Sequence, residues 1–239
     1  MKFFTAYNKL YQEAAKTTFK AVWNHHPDAE IHAVCSSDVD FEIPGVTYYY
    51  HDPKINCVIN DNATGKGYNN IVYNFIYAID LLPIDKAILL PIDCLILDDV
   101  TELYDSPTGE SGFACIPLIK ISAAHKVSGM MKHWSNGYVI DEKLNDNQAF
   151  NTGSMLFDFD KLRKNNAFEQ LEKLIIDYQM SEMAAFCIYA NDEWVRLDNK
   201  FGVRSDFIND LSGVKILDYA GQHKPWLNKG KHINTWKSI

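Results

Sequence analysis

Short apolar runs alternate with amphipathic helical segments along most of the chain. Residues 2–6 form an apolar run that predicts a buried strand, and residues 11–26 repeat apolar positions at helical spacing until Pro27. The same patterns predict further strands at 30–38, 46–50, 86–91, 94–97, 112–117 and 214–221 and further helices at 69–83, 167–180 and 181–191. Strands that alternate with helices predict an α/β fold with a mainly parallel central sheet flanked by helices.

Polar stretches separate these elements at two places. Residues 51–70 are rich in Asn, Asp and Gly, and residues 125–148 are polar and irregular, so both predict long loops. Residues 150–165 predict a loop, then a strand, then a helix. Since no repeat, low-complexity run or linker divides the chain, we expect a single domain over 1–239.

Composition narrows the class of protein. The hydrophobic fraction of 47% and the charged fraction of 23% are those of a globular chain. The net charge of -8 argues against nucleic acid as a general partner, because phosphate contacts need a basic face.

The cysteines and the apolar runs suggest a compartment. The five cysteines are an odd number without a Cys-x-x-Cys pair, which argues against a disulfide framework and a zinc ribbon. The first residues lack the apolar core of a signal peptide, and no apolar run reaches the length of a membrane span, about eighteen residues. We therefore expect a cytoplasmic protein with reduced thiols.

A lone carboxylate, Asp93, lies between the two apolar runs of "ILLPIDCLILDD". In parallel α/β sheets, ligands bind beyond the carboxyl ends of the strands, and Asp93 follows such an end. There it can coordinate a divalent cation that bridges a nucleotide diphosphate. It can equally cap a turn with its side chain, and this stretch alone leaves both readings open.

Four segments together resemble glycosyltransferase family 8, the family of glycogenin and the bacterial lipopolysaccharide galactosyltransferases. They occur in the family's order, from Lys2 to about Trp226, and read "TAYNKLYQEAAKTTFKAV", "KAILLPIDCLILDDVTELYD", "FNTGSMLFDFDKLR" and "LDYAGQHKPW". The resemblance implies the GT-A fold in one domain, with a nucleotide-sugar-binding half over about 1–100. The acceptor half would cover about 101–239 and end in a diphosphate-binding segment.

The same resemblance implies a metal-dependent glycosyltransferase. The donor would be a nucleotide-sugar, most simply a UDP-sugar, and the cation Mn²⁺ or Mg²⁺. The acceptor would be a glycan, a lipid or a protein, and transfer would retain the anomeric configuration.

The metal site implied by the family pattern is altered in this chain. Pro91 stands where the family's Asp-x-Asp motif has its first aspartate, and Asp93 stands at the second, beside Ile92. Asp218 stands where the family has a metal-binding histidine. Asp93 and Asp218 are therefore the expected metal ligands, and His223 is either a further ligand or a surface residue.

The diphosphate positions follow the family pattern more closely. Gly221 would let the backbone approach the diphosphate, and Lys224 would neutralise the departing β-phosphate. Asp93 and Lys224 are therefore the expected catalytic residues. The family's arginine before the Asp-x-Asp strand is missing, and Lys66 is a candidate to replace its charge.

The resemblance also assigns the two ends of the donor. Asn8 and Tyr11 match the base-binding positions, with backbone groups supplied by Ala6; alternatively Asn8 caps the helix and Tyr11 packs in its core. Residues 151–153 match the turn beside the transferred sugar, and otherwise form a strand-entry turn; they are Asn151, Thr152 and Gly153. In the acceptor segment "SEMAAF", only Glu182 keeps an acidic group.

Two functions of other classes are also considered from the sequence. A degenerate, non-catalytic nucleotide-sugar-binding protein would account for the missing aspartate, histidine and arginine. A nucleotidyltransferase would need a Gly-rich basic segment after the first strand, which "TAYNKLYQ" lacks. The basic, aromatic C-terminus could touch a membrane surface through Lys224, Trp226, Lys229, Lys231 and Trp236.

Overall fold

The computed structural model describes residues 1–55, 70–118, 147–221 and 224–239 and the backbone of four short strands, β4, β5, β9 and β10. In chain order the strands are β1 (Lys2–Tyr7), β2 (Glu30–Cys35), β3 (Val46–Tyr50), β4 (Asn60–Asp61), β5 (Lys66–Gly67), β6 (Lys86–Leu89), β7 (Cys94–Ile96), β8 (Phe113–Pro117), β9 (Ile119–Lys120), β10 (Ala123–Ala124), β11 (Phe150–Asp158), β12 (Val195–Arg196), β13 (Val203–Arg204) and β14 (Ile216–Asp218). The α-helices are α1 (Gln12–His25), α2 (Asn74–Leu81), α3 (Thr101–Asp105), α4 (Phe159–Lys164), α5 (Ala167–Tyr178), α6 (Glu182–Ala190) and α7 (Ile233–Lys237).

Seven strands form the central sheet in the order β12-β8-β11-β6-β1-β2-β3. Strand β11 runs antiparallel to both of its neighbours, and the other pairs are parallel. The prediction of a mainly parallel sheet in an α/β fold is therefore confirmed. The parallel order places the carboxyl ends of β6 and β1 side by side, which is where ligands bind in such sheets.

A second, three-stranded sheet has the order β13-β14-β7. Strand β7 follows β6 after a short turn, yet it pairs antiparallel with β14 instead of joining the central sheet. The sequence correctly predicts both strands around Asp93 but does not show that they belong to different sheets. Asp93 therefore lies at the junction of the two sheets.

Alternating side chains of the central sheet enter two separate cores. Phe3 of β1 packs with α1 and the second sheet, whereas the next residue, Phe4, packs with α2, α5 and α6 on the other face. This is the two-residue period of a strand. The apolar positions predicted for α1 are buried, and they include Ala14, Phe19 and Val22.

Three local predictions differ from the structure. The predicted helix at 69–83 begins as a 3-10 turn, Asn70–Tyr73, before α2. Residues 151–153 belong to β11 rather than to a loop, at a point where its register with β8 shifts. Trp236 packs against Trp226 and Tyr219 and is buried, so it is not available to a membrane surface.

Most of each predicted loop lies outside the described residues. In the loop at 51–70 these are residues 56–69, apart from the backbone of β4 and β5, and in the loop at 125–148 they are residues 125–146. Among the helices that the structure does describe, none has both the length and the apolar character needed to cross a bilayer.

A buried hydroxyl on α1 fixes the turn that carries Asp93. The Oγ1 of Thr18 donates to the carbonyl oxygen of Ile92 at 2.7 Å and lies 3.2 Å from that of Cys94. Within the turn, the amide of Cys94 donates to the carbonyl of Pro91 at 3.0 Å. The first helix of the chain thus sets the position of residues 91–94.

We expect Thr18→Val to destabilise the protein by about 1–3 kcal/mol, because a buried carbonyl loses its donor while the side-chain shape is kept. Urea titration measures the free energy of unfolding. The matched control is Thr17→Val at the half-buried neighbouring position, which should change it by less than about 0.5 kcal/mol. Equal effects of the two substitutions would contradict the assigned role of Thr18.

Candidate active site

Backbone contacts between the two sheets place two carboxylates side by side. Cys94 of β7 pairs in register with Asp218 of β14, and the amide of Tyr219 donates to the carbonyl of Asp93 at 2.9 Å. One ligand atom from each of Asp93, Cys94 and Asp218 lies within 4.8 Å of the others. The pairing of β7 with β14 therefore brings together residues far apart in sequence.

Asp218 is the most deeply buried charged group of this cluster, with 1% of its surface exposed. Its Oδ1 accepts from the amide of Ala220 at 2.6 Å, and its Oδ2 accepts from Nδ2 of Asn151 at 3.2 Å. Burial, followed by the charge of Asp93, raises the pKa of Asp218 to about 6, against the opposing charge of Arg204. This carboxylate is therefore short of positive charge in the ligand-free protein.

Lys224 supplies the cation that contacts Asp93. Its Nζ lies 2.5 Å from Oδ2 of Asp93 and 3.0 Å from the carbonyl oxygen of Tyr219. Burial lowers the pKa of Lys224, but the charge of Asp93 and the hydrogen bond to it outweigh that effect and raise the pKa above its ordinary value. Lys224 is therefore a charged ammonium that already lies among the carboxylates.

Cys94 contributes a neutral thiol to this cluster. Its Sγ donates to the carbonyl of Gly153 at 3.0 Å, and burial raises its pKa well above the ordinary value. A protonated thiol is a poor ligand for Mg²⁺ or Mn²⁺, which prefer carboxylate oxygens. The two carboxylates fit a divalent cation of that kind, and the thiol instead ties β7 to β11.

The lack of a side chain at Gly153 leaves free space beside the carboxylate of Asp218. A Cβ on Gly153 would lie 2.7 Å from Oδ2 of Asp218 and 3.0 Å from Nδ2 of Asn151. The amide of Gly153 also donates to Oδ1 of Asn151 at 3.1 Å, so this residue holds the amide that contacts Asp218. A side chain at position 153 would fill the space beside the carboxylate.

A cavity of about 240 Å³ opens at this junction. Ten of the residues proposed from the sequence line it, namely Ala6, Tyr11, Pro91, Ile92, Asp93, Asn151, Thr152, Gly153, Asp218 and Lys224. The ring of Tyr11 meets that of Trp226 edge-on at 6.2 Å, so this tyrosine both packs and faces the cavity.

Two other proposed residues, Asn8 and Gly221, do not line the cavity. Asn8 makes no capping hydrogen bond to the turn that it precedes, and its buried Oδ1 has no hydrogen-bond partner among the described residues. Gly221 adopts φ +98, a conformation that favours glycine, next to the cavity residue Ala220. The side chain of Lys66 lies outside the described residues, as does His223.

The cavity also contains an apolar wall that the sequence alone did not assign, and one acidic residue of the acceptor segment. Ile71, Val72 and Phe75 form an apolar wall that the sequence shows only as one face of a helix. Glu182, at the first position of α6, is 3% exposed and lines the same cavity. Its acidic side chain was the only signal in a segment that otherwise departs from the family pattern.

Solved glycosyltransferases share this architecture. The galactosyltransferase LgtC, solved with donor and acceptor sugar analogues, superposes with a TM-score of 0.73 at 15% identity, over 100% of this chain and 94% of that chain. GlyE of Streptococcus pneumoniae TIGR4 gives 0.69 at 15% identity, over 99% and 59%. Mouse xyloside xylosyltransferase 1 gives 0.56 at 13% identity, over 92% and 98%. At these identities the likeness establishes the fold, that of the GT-A glycosyltransferases.

The sequence itself carries the family assignment. The chain belongs to glycosyl transferase family 8, whose model matches residues 3–230. A sequence search of curated proteins finds no match. The protein is accordingly a nucleotide-sugar glycosyltransferase, and the resemblance seen in the four sequence segments is confirmed.

The raised pKa of Asp218 makes the stability of the ligand-free protein depend on pH. The pKa is about 6 in the folded chain against an ordinary value of 3.8, so the folded state binds more protons between these values. The resulting stabilisation is complete below the unfolded pKa and is lost as the pH rises through about 6. The total loss is about 3 kcal/mol, of which about half falls above pH 5.

Urea titrations between about pH 5 and about pH 8 test this expectation on the wild type and Asp218→Asn. Since the variant cannot ionise at this position, it should gain stability relative to the wild type as the pH rises. The control Asp210→Asn changes an exposed carboxylate whose pKa is lowered by Ser212, so its difference from wild type should stay constant over this range. A constant difference for Asp218→Asn as well would contradict the raised pKa.

Proposed function

We propose that the protein transfers a sugar from a UDP-sugar to a glycan, lipid or protein acceptor in a metal-dependent reaction that retains the anomeric configuration. One observation carries the proposal: Asp93, Asp218 and Lys224 converge in a single cavity beyond the carboxyl end of β6. That is where a sheet of this kind binds a nucleotide.

The residues around the cavity support a separate place for each part of the proposed donor. Tyr11 and the end of β1 would hold the base, and Asn8, which follows β1 and whose Oδ1 has no hydrogen-bond partner within the described part of the chain, would serve as an acceptor. Lys224 and the backbone at Gly221 would contact the diphosphate. Residues 151–153 would lie beside the sugar, where Gly153 leaves space and the side chain of Asn151 is fixed by Asp218.

Asp93 and Asp218 would hold Mn²⁺ or Mg²⁺, since together they offer hard oxygen ligands in a protected site. When bound, the cation would neutralise diphosphate oxygens and so help the diphosphate to depart. The high pKa of Asp218 supports this assignment, because a second positive charge would favour its ionised form.

The reaction itself would depend on charge stabilisation at the leaving group. The acceptor hydroxyl attacks the anomeric carbon as the bond to the β-phosphate oxygen breaks, and the departing phosphate takes the hydroxyl proton. Lys224, with 18% of its side chain exposed, would donate to the phosphate as negative charge accumulates there. Attack on the face that the phosphate leaves gives retention.

Glu182 would face the acceptor side of the reaction. Glu182 lines the same cavity as residues 151–153 and lies at the start of α6, where the helix dipole favours a negative charge. A carboxylate in this place can accept hydrogen bonds from sugar hydroxyls.

Calorimetric titration of UDP in the presence of Mn²⁺, and separately of EDTA, tests the proposal on the wild type and Asp93→Asn. We expect binding to require the metal and to weaken at least about tenfold in the variant, since the substitution removes one of the two charged ligands. Release of UDP from a panel of UDP-sugars then identifies the donor.

The matched control is Asp105→Asn, an exposed carboxylate at the end of α3 that does not line the cavity. It should bind UDP as the wild type does. Equal affinity with Mn²⁺ and with EDTA would refute metal dependence, and the lack of any UDP binding would refute the nucleotide. Binding without release of UDP from any donor would indicate a binding protein.

The contact between Lys224 and Asp93 predicts opposite effects of one substitution. In Lys224→Met, Mn²⁺ no longer competes with an ammonium for Asp93, so its affinity without nucleotide should rise by about tenfold. UDP affinity should fall by a similar factor, because the diphosphate loses a charged donor.

Titrations with Mn²⁺ alone and with UDP measure the two effects of Lys224→Met separately. The control Lys215→Met removes a lysine that pairs with Asp98 at 2.6 Å and does not line the cavity, so neither affinity should change. A fall in both affinities for Lys224→Met would show that the lysine holds the site together and does not compete with the cation.

A further inference from the structure

A second positively charged side chain, that of Arg204, lies next to the backbone of the proposed diphosphate site. Arg204 ends β13, and its Cα pairs in parallel register with that of Asp218 on β14. Neighbouring residues in register on parallel strands project to the same face of a sheet. Arg204 thus reaches towards the cluster that contains Asp218, although no sequence motif identifies it.

The guanidinium of Arg204 contacts the backbone segment that follows Asp218. Its Nη2 donates to the carbonyl of Ala220 at 3.1 Å and lies 3.3 Å from Oδ2 of Asp206. A Cβ at Gly221 would come within 3.3 Å of the same nitrogen. Glycine is therefore favoured at position 221 by its positive φ, and a side chain there would also be tight against the guanidinium.

Much of the hydrogen-bonding capacity of Arg204 is not used within the described structure. The guanidinium has five N–H donors, and both side-chain hydrogen bonds recorded for it come from Nη2. The buried Nε has no hydrogen-bond partner among the described residues. An arginine fixed at one edge and unsatisfied at another is suited to bind an anion, since its planar fork matches phosphate oxygens.

The formal charges of the site leave room for this second cation. Each phosphate of a nucleotide-sugar diphosphate carries one negative charge, and Asp93 and Asp218 add one each. A divalent cation and Lys224 leave one of these negative charges without a counterpart. Arg204, which also pairs with Asp206, lies next to the cavity wall formed by Ala220 and can share this remaining charge.

We propose that Arg204 is a diphosphate-binding residue, which with Lys224 and Gly221 forms the part of the site that recognises the β-phosphate of the donor. This inference rests on the proposed nucleotide-sugar donor. The competing role is purely structural: Arg204 would hold the turn after β14 through Ala220 and Asp206 and would not contact the ligand.

The test compares UDP, UMP and uridine by calorimetric titration with Mn²⁺, on the wild type, Arg204→Gln and Arg204→Lys. We expect Arg204→Gln to weaken UDP by about tenfold to hundredfold, the range for a lost charge-assisted hydrogen bond. UMP and uridine should change by less than about threefold. Arg204→Lys, which keeps the charge but not the fork, should recover part of the UDP affinity.

Two further measurements and one control variant accompany these titrations. The dependence of UDP affinity on salt concentration should be shallower in Arg204→Gln than in the wild type, because one ionic contact is lost. Thermal melting shows whether each variant is folded. The control Arg196→Gln changes an exposed arginine on β12 of the central sheet, which stacks over Trp194 and does not line the cavity, and it should bind all three ligands normally.

The outcomes separate the hypotheses. If UDP, UMP and uridine weaken by the same factor in Arg204→Gln, Arg204 holds the turn and the inference is overturned. Unchanged UDP affinity in both Arg204 variants overturns it too. If the wild type itself does not bind UDP, the proposed function fails and this inference with it. If the wild type binds UDP and the Arg204 variants bind it equally well, only the role assigned to Arg204 is refuted.

Discussion

Two carboxylates held next to each other with little access to solvent are the constraint on which the rest of this structure depends. Asp93 and Asp218 repel each other, and burial removes the water that would otherwise screen them. The protein keeps them in place with backbone pairing between β7 and β14, with the hydroxyl of Thr18 under the turn at 91–94, and with hydrogen bonds to each carboxylate. A cationic or cation-bridged ligand at the proposed metal site would relieve the repulsion between the two carboxylates that folding has to overcome.

The two-sheet arrangement explains why this constraint can be met. A carboxylate at the end of a central strand would normally face open solvent beyond the sheet. Here the chain turns at Pro91 and continues into a second sheet, so Asp93 is enclosed from both sides. The same junction lets Cys94 tie β7 to β11 through the carbonyl of Gly153. Strand β14 holds Asp218, and the turn between β6 and β7 holds Asp93, so both carboxylates are fixed by the two sheets, which is the kind of preorganisation that electrostatic catalysis needs.

Sequence patterns predicted the parts of this structure that depend on local periodicity and on recognised motifs. Helix α1, the strands on both sides of Asp93 and the cavity position of Asp218 all follow from such signals. The partner of β7 could not be predicted, because a three-residue apolar run reads the same in either sheet. Residues 151–153 resembled a loop, since their polar side chains serve the site and not the core. Arg204 was missed because its role comes from its register beside Asp218, which exists only once β13 and β14 have paired.

The two substitutions in the family's metal-binding pattern compensate each other in net charge. Replacing the first aspartate of the Asp-x-Asp motif by Pro91 removes one negative charge from the site, and replacing a neutral histidine by Asp218 restores it. The carboxylate count of the proposed metal site is therefore unchanged, although one carboxylate now lies on the second sheet. That relocation places the negative charge where burial is deepest, and Arg204 stands in register beside it and lowers the pKa that burial raises. Independent loss of the motif residues would not be expected to preserve the charge or to place a cation next to the relocated carboxylate, so the altered motif is better understood as a rearranged site than as a decayed one.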